Sequence, residues 1–273
     1  MVMILLKTFK KQLDNMDFRT LSLLALAIGP AIAIMAFVYA RDVHDREPFG
    51  VLLMSFFWGC FSVVPAIILE TILPGLVPGS SGSGILSIAI YTFVIIAFSE
   101  EFSKYIFLRY YSYRKRSFNE PFDGIIYMVM VGMGFATIEN LMYVFGADTP
   151  QNQWATAGMR AITAVPAHAS FAIVMGYYAG LAKFSKDKEK QLLMQGILYA
   201  TILHGFYDFF LFQNISEGIA IGALVSLIIG IRFSLKAMRM HRDSSPFRKP
   251  ATSEAITSED EDEGHFESPY KPS

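Results

Sequence analysis

The stretch ILSIAIYTFVIIAFSEEFSKYIFLR (85–109) decides how the rest of the chain is read. As a helix it would measure about 38 Å, more than the ~30 Å hydrocarbon core of a bilayer. Yet it carries Glu100, Glu101 and Lys104 well inside its apolar run, because Tyr105-Ile106-Phe107-Leu108 continues it. Six further stretches are long enough to cross, at 21–40, 49–73, 124–146, 160–182, 191–212 and 218–235. Their continuous apolar character predicts helices rather than the alternating strands of a barrel. Composition agrees: 53% of the 273 residues are hydrophobic and 17% charged, against roughly 25% charged in an average soluble domain. Phe (24) outnumbers Lys and Arg together (23), which argues against a soluble enzyme. A net charge of −1 gives no footprint for nucleic acid, and Cys60, the single cysteine, excludes an internal disulfide. The reading is all-α: a polytopic membrane bundle of about seven transmembrane helices.

Pro30, Pro65 and Pro166 fall inside spans, where neighbouring helices or water can satisfy the freed carbonyls. Residues 1–20 read as an amphipathic interfacial segment, 21–235 as the membrane domain, and 236–273 as a mostly disordered tail. That tail carries the acidic run Glu259-Asp260-Glu261-Asp262-Glu263. The first span is too long for the apolar part of a signal peptide and reads as retained. Lys and Arg concentrate in loops 41–48, 110–123 and 183–190 and are absent from 74–84, 147–159 and 213–217. The excess of positive charge on one side predicts a cytoplasmic C-terminus and an N-terminus outside, although the basic residues before the first span point the other way.

Ionisable groups at membrane depth are costly and mark function. Here they occur on four successive spans, the third to the sixth: Glu100, Glu101 and Lys104; Glu139 and Asn140; His168; His204 and Asp208. Helical rise puts Glu100, Glu139, His168 and His204 within about 6 Å of their span centres, which predicts one polar cavity. Residues four apart share a face, so Glu100 can pair with Lys104 and His204 with Asp208. Glu100 and Glu101 lie about 100° apart and cannot do identical work. Glu70, near the end of its span, reads as an interfacial residue. Gly132, Gly134, Gly176 and Gly205 read as close-packing positions.

These motifs, Glu100-Glu101-x-x-Lys104, Phe135-x-x-x-Glu139, a lone His168 and His204-x-x-x-Asp208, stand in an order that resembles the PrsW-type intramembrane proteases, relatives of the CAAX-protease and bacteriocin-processing superfamily. Flanking text is also similar, as in GFATIEN (134–140) and GYYAG (176–180). The loop segment DREPFG (45–50) departs from it, with one Glu-Pro where a repeated pair is expected. The resemblance implies cleavage of a membrane-anchored, single-span substrate, such as an anti-sigma factor. It also implies a glutamate-type mechanism without a cofactor. Glu100 or Glu101 would be the base, assisted by Glu139, with His204, oriented by Asp208, and His168 serving the oxyanion or the leaving amine. Lys104 would neutralise the non-catalytic glutamate. A zinc enzyme built on Glu139, His168 and His204 is the alternative chemistry. Outside proteolysis, a proton-coupled transporter and a non-catalytic scaffold are the alternatives.

Overall fold

The computed structural model describes residues 17–213 and 220–248. Most of the amphipathic segment expected over 1–20, and the acidic run at 259–263, lie outside them. The described residues are helical, with no strand among them.

Helix α1 (Phe18–Arg41) starts where the Asp17 carboxylate accepts the Thr20 amide at 3.0 Å. The second span divides into α2 (Phe49–Phe61) and α3 (Val63–Leu76). Pro65 has no N–H for the carbonyl of Phe61, and the helix breaks there, with the Ser62 hydroxyl donating to Gly59 at 2.6 Å. The third span runs from α4 (Ile85–Ile90) through a π-helical stretch, Tyr91–Ala97, into α5 (Phe98–Tyr110). Helix α6 (Pro121–Gly146) opens on a capping box of Glu120 and Asp123 with proline at its first position. The fifth span is α7 (Pro150–Ile162) and α8 (Ala164–Lys183), and Pro166 lacks the N–H that Ile162 would need. Helices α9 (Glu189–Phe212) and α10 (Ile221–Asp243) complete the bundle. The last helix thus continues past the expected boundary at 235.

Six of these spans are long and apolar enough to cross a membrane: α1, α2–α3, α4–α5, α6, α7–α8 and α10. Helix α9, the sixth of the seven expected, has the length, but Gln195, His204 and Asp208 dilute its apolar run. It packs against α8, α10 and the π-helical stretch. The protein is an all-α, polytopic membrane bundle.

Its centre is α6. Burial takes in 78% of the most apolar window of α6 and only 22% of that of α1, so α6 is the core helix and α1 a peripheral one. Apolar residues at the rim, such as Val64, Ile68 and Ile72 on α3 and Ile228 and Ile229 on α10, are half exposed and suited to lipid. Helices α6 and α8 touch backbone to backbone: a Cβ on Gly176 would lie 2.7 Å from Cα of Ile125, and one on Gly124 2.8 Å from Cα of Gly180. Gly132, Gly134 and Gly205 sit at similar close approaches, as the sequence suggested.

The face carrying the basic loops holds a buried acidic group that the sequence did not reveal. Asp42, Glu47, Glu120 and Asp123 are each no more than 3% exposed. The Tyr127 hydroxyl donates to Glu47 and contacts the Ser117 hydroxyl, while Asp123 accepts the amides of Asn119 and Glu120 at 2.7 Å. Burial pushes the Asp42 carboxyl up to about 7, with the neighbouring Glu120 carboxyl adding to it. Burial likewise pushes Glu47 up to about 7. A carboxyl with a folded value above its unfolded value of about 4 keeps its proton in the native state after the unfolded chain has lost it. Stability is then greatest at low pH and declines as pH rises from about 4 to about 7. Purified protein should therefore melt at a higher temperature near pH 5 than near pH 8, and combining Asp42→Asn with Glu47→Gln should shrink that difference. A difference of the same size in the double variant would contradict this account.

Candidate active site

The site begins with the π-helical stretch Tyr91–Ala97, which directly precedes α5. Such stretches close their hydrogen-bonded turns over one residue more than an α-helix and are frequent at functional sites. At the first turns of α5, Glu100 is 5% exposed, Glu101 0% and Lys104 1%, so all three charges are inside the protein. They are tolerable there because they meet: Lys104 Nζ donates to Glu101 Oε1 at 2.7 Å and to Glu100 Oε2 at 3.2 Å. The ammonium also lies 3.3 Å from His168 Nδ1 and 4.0 Å from the centre of the Phe135 ring. Lys104 was expected to neutralise one glutamate and instead holds both.

Helix α8 supplies His168, whose Nε2 lies 2.7 Å from Glu139 Oε2 on α6. An ammonium can only donate, so it fixes the tautomer: Nδ1 accepts from Lys104 and Nε2–H donates to Glu139. Glu139 also accepts from Arg160 at 2.5 Å. Arg160 Nε in turn donates to Asn140 Oδ1 at 2.6 Å, and Asn140 Nδ2 donates to the carbonyl of Ala27 at 3.1 Å. Asn140 thus ties α1 and α7 to α6 behind Glu139.

Helix α9 supplies His204. Its Nδ1 is 3.0 Å from Glu101 Oε1, and its Nε2 is 3.2 Å from Asp208 Oδ2 and 4.0 Å from Glu100 Oε2. Nδ1 hydrogen-bonds Glu101, while Nε2 faces the Asp208 and Glu100 carboxylates at ion-pair distance. Phe171 stacks on that ring at 4.5 Å and excludes water from one side. The two histidine rings are 5.4 Å apart. The expected i,i+4 pairs are both present, and the acids and imidazoles of four elements converge.

Beside them is a cavity of about 330 Å³. Glu100 and Glu139 line it; Glu101, behind them, does not. Its other walls include Phe135, Tyr91, Tyr143 and Phe212, and also Val63, Ala66, Ile67 and Glu70 of α3. The second span thus belongs to the site, which the sequence reading confined to spans three to six, and Glu70, read there as an interfacial residue, lines the cavity. Arg160 was overlooked for a similar reason. A charge at the edge of an apolar stretch reads as an anchor, and only the fold reveals that it is bonded to Glu139.

Residues 47–234 match the family model described as PrsW family intramembrane metalloprotease. The chain belongs to the PrsW protease family. It is similar to Protease PrsW of Geobacillus kaustophilus, with 32% identity over 203 residues, covering 74% of this chain and 84% of the relative. Protease PrsW of Bacillus subtilis is 34% identical, with 70% and 83% covered, and that of Clostridioides difficile 36% identical, with 70% and 79% covered. No solved structure matches the chain significantly. The chain is therefore a multi-pass membrane peptidase, and the clustered polar residues are the candidates for its chemistry.

The family description makes a metal a matter for the donor set. Glu100, Glu101, His168 and His204 offer ligand atoms all within 4.8 Å of one another. Glu139 stands outside that group, on the far nitrogen of His168, although the sequence reading had made it the carboxylate ligand. Each imidazole is backed by a carboxylate, Glu139 or Asp208, as metal-binding histidines commonly are. Three of the four donors already surround the Lys104 ammonium, so the pocket is built for a cation. The group includes the imidazole and carboxylate donors of a zinc site, with the Lys104 ammonium in place among them.

The same geometry sets the role of Lys104 in this site. Lys104→Met should strand two buried carboxylates and destabilise the folded protein by about 3–5 kcal/mol. Adding Glu101→Gln should recover much of that loss, as read by thermal melting in detergent. A Lys104→Met protein as stable as the parent would refute the assignment.

Proposed function

We propose that this protease hydrolyses a peptide bond of a membrane-anchored, single-span protein, with Glu100 as general base. The observation that carries the reading is the division of labour between adjacent glutamates. Glu100 lines the cavity, whereas Glu101 is sealed between the Lys104 ammonium and His204. A water held by Glu100 and Glu139 attacks the scissile carbonyl carbon and gives a proton to Glu100. His204, at ion-pair distance from Asp208 and with Nε2 4.0 Å from Glu100 Oε2, stands behind the cavity wall and steadies Glu100 and the developing oxyanion electrostatically. Glu100 then returns its proton to the leaving nitrogen as the C–N bond breaks, giving a carboxyl and an amine terminus. Lys104 and Glu101 position these groups, and His168, held between Lys104 and Glu139, keeps the two glutamates of the cavity in register.

The four-donor group favours a second reading alongside it. Zinc, held by His168 and His204 with Glu100, Glu101 or both, would supply a Lewis acid and an acidified water. Glu139 and Asp208 would then orient the two imidazoles.

Orientation bears on where the cut is made. The cavity residues Glu70, Tyr91, Met142, Tyr143 and Phe212 lie toward the loops poor in Lys and Arg. By the positive-inside rule that face is outside the cytoplasm, with the C-terminal tail inside the cell and the N-terminus outside. An anti-sigma factor cut on its outer side is a substrate of the right kind.

Purified protein in lipid nanodiscs should cleave a tagged single-span substrate, and Glu100→Gln should slow it about a thousandfold while leaving the melting temperature nearly unchanged. Retained turnover would remove Glu100 as base. Metal analysis of the same preparation, with chelation and zinc replacement, separates the two readings: loss and recovery of activity favours zinc, and full activity in metal-free protein favours the glutamates alone.

A further inference from the structure

Of the three carboxylates that line the cavity, two have a cation of their own. Glu100 has Lys104 and Glu139 has Arg160. The third, Glu70 on α3, is half-buried and has no hydrogen bond or ion pair among the described residues. Among the described residues no Lys, Arg or His lines the cavity, so the surface they offer to an incoming chain is acidic on an otherwise largely apolar wall. Lys104 cannot redress this, because its three donor positions are taken up by Glu100, Glu101 and His168. When an apolar segment fills the cavity and excludes water, Glu70 loses its solvation with nothing in return. A segment bearing a positive side chain would instead pair with it, and one bearing a carboxylate would be repelled.

We propose that Glu70 reads the substrate: it receives the ammonium or guanidinium of a lysine or arginine close to the bond that is cut. This rests on the protease reading above and adds to it the chemical class of the substrate, an apolar membrane segment interrupted by one basic residue. The dimensions limit where that residue stands. A sphere of the cavity volume is about 9 Å across, two to three residues of extended chain, so the basic residue lies within about three positions of the scissile bond. A site built around a charged partner rejects the analogue lacking it more strongly than an apolar pocket rejects a missing methylene.

The test uses the full chain in nanodiscs and a panel of synthetic single-span peptides. One lysine is moved through successive positions of a Leu/Ala segment, with Gln and Glu versions of each, and products are mapped by mass spectrometry. The parent protein should cut best where lysine falls within three residues of the bond, by about tenfold or more in kcat/KM over the Gln peptide, chiefly through KM. Glu70→Gln should erase that preference, so that the Lys and Gln peptides are cut with equal kcat/KM. Glu70→Lys should transfer the preference to the Glu peptide, an exchange that a merely structural role would not produce. Equal turnover of Lys, Gln and Glu peptides by the parent protein overturns the proposal, as does a Lys preference that survives in Glu70→Gln. Glu100→Gln, run in parallel, keeps the two readings apart. If the parent protein cuts no peptide faster than Glu100→Gln does, the protease assignment fails and this one with it. If it cuts all of them alike while Glu100→Gln is inactive, only the role of Glu70 falls.

Discussion

One ammonium group makes the polar centre possible. Two carboxylates at adjacent positions of a helix inside a membrane protein would repel one another and resist burial. Lys104 removes both difficulties, because it lies within hydrogen-bonding reach of each and is itself almost sealed from solvent. Its third contact, to His168 Nδ1, links α5 to α8, and through Glu139 and Arg160 to α6 and α7. The same network that neutralises charge therefore sets the relative positions of the helices. Catalytic geometry and bundle assembly are one problem here.

Around that centre the bundle divides labour by burial. Helices α6 and α8 touch through glycines and form a rigid spine, and α1, α2–α3 and α10 present apolar faces to lipid. Three of the four spans that carry the polar groups depart from a plain apolar helix, with a π-helical stretch before α5, a break before α8 and a helix α9 diluted by polar residues, while α6, which carries Glu139, is continuous. Irregularity is confined to elements packed inside the protein or lining a cavity, where freed backbone groups can find partners.

Much of this was legible in the order of residues. An apolar run too long for anything but a span, with Glu100 and Glu101 inside it, implies partners, and helical spacing identifies Lys104 and Asp208 as near ones. That Glu139, His168 and His204 join them followed from shared depth alone. Partnerships between helices were not legible, since spacing says nothing about rotation: Glu139 proved to bond His168 rather than join the four-donor group, and Lys104 to serve both glutamates. Position misled at the ends of spans. Glu70 and Arg160 resemble interfacial anchors by sequence, whereas in the fold Glu70 lines the cavity and Arg160 stands behind it, bonded to Glu139. The acids of the loop face were hidden for a different reason, since Asp42 and Glu47 meet Glu120 and Asp123 only after more than one span has folded between them.

The π-helical stretch sets a rule for how this chain can change. Because it accommodates an additional residue just ahead of α5, winding the same residues as an ordinary α-helix would rotate all that follows by roughly 100°. Glu100 would swing toward the direction Glu101 now takes, and Lys104 would leave both its neighbours across the bundle. Deleting one position together with the bulge would cancel that rotation, so winding and length can change only as a pair. The phase of the reactive face is thus encoded upstream, in the match of residue count to winding rather than in the identity of a side chain.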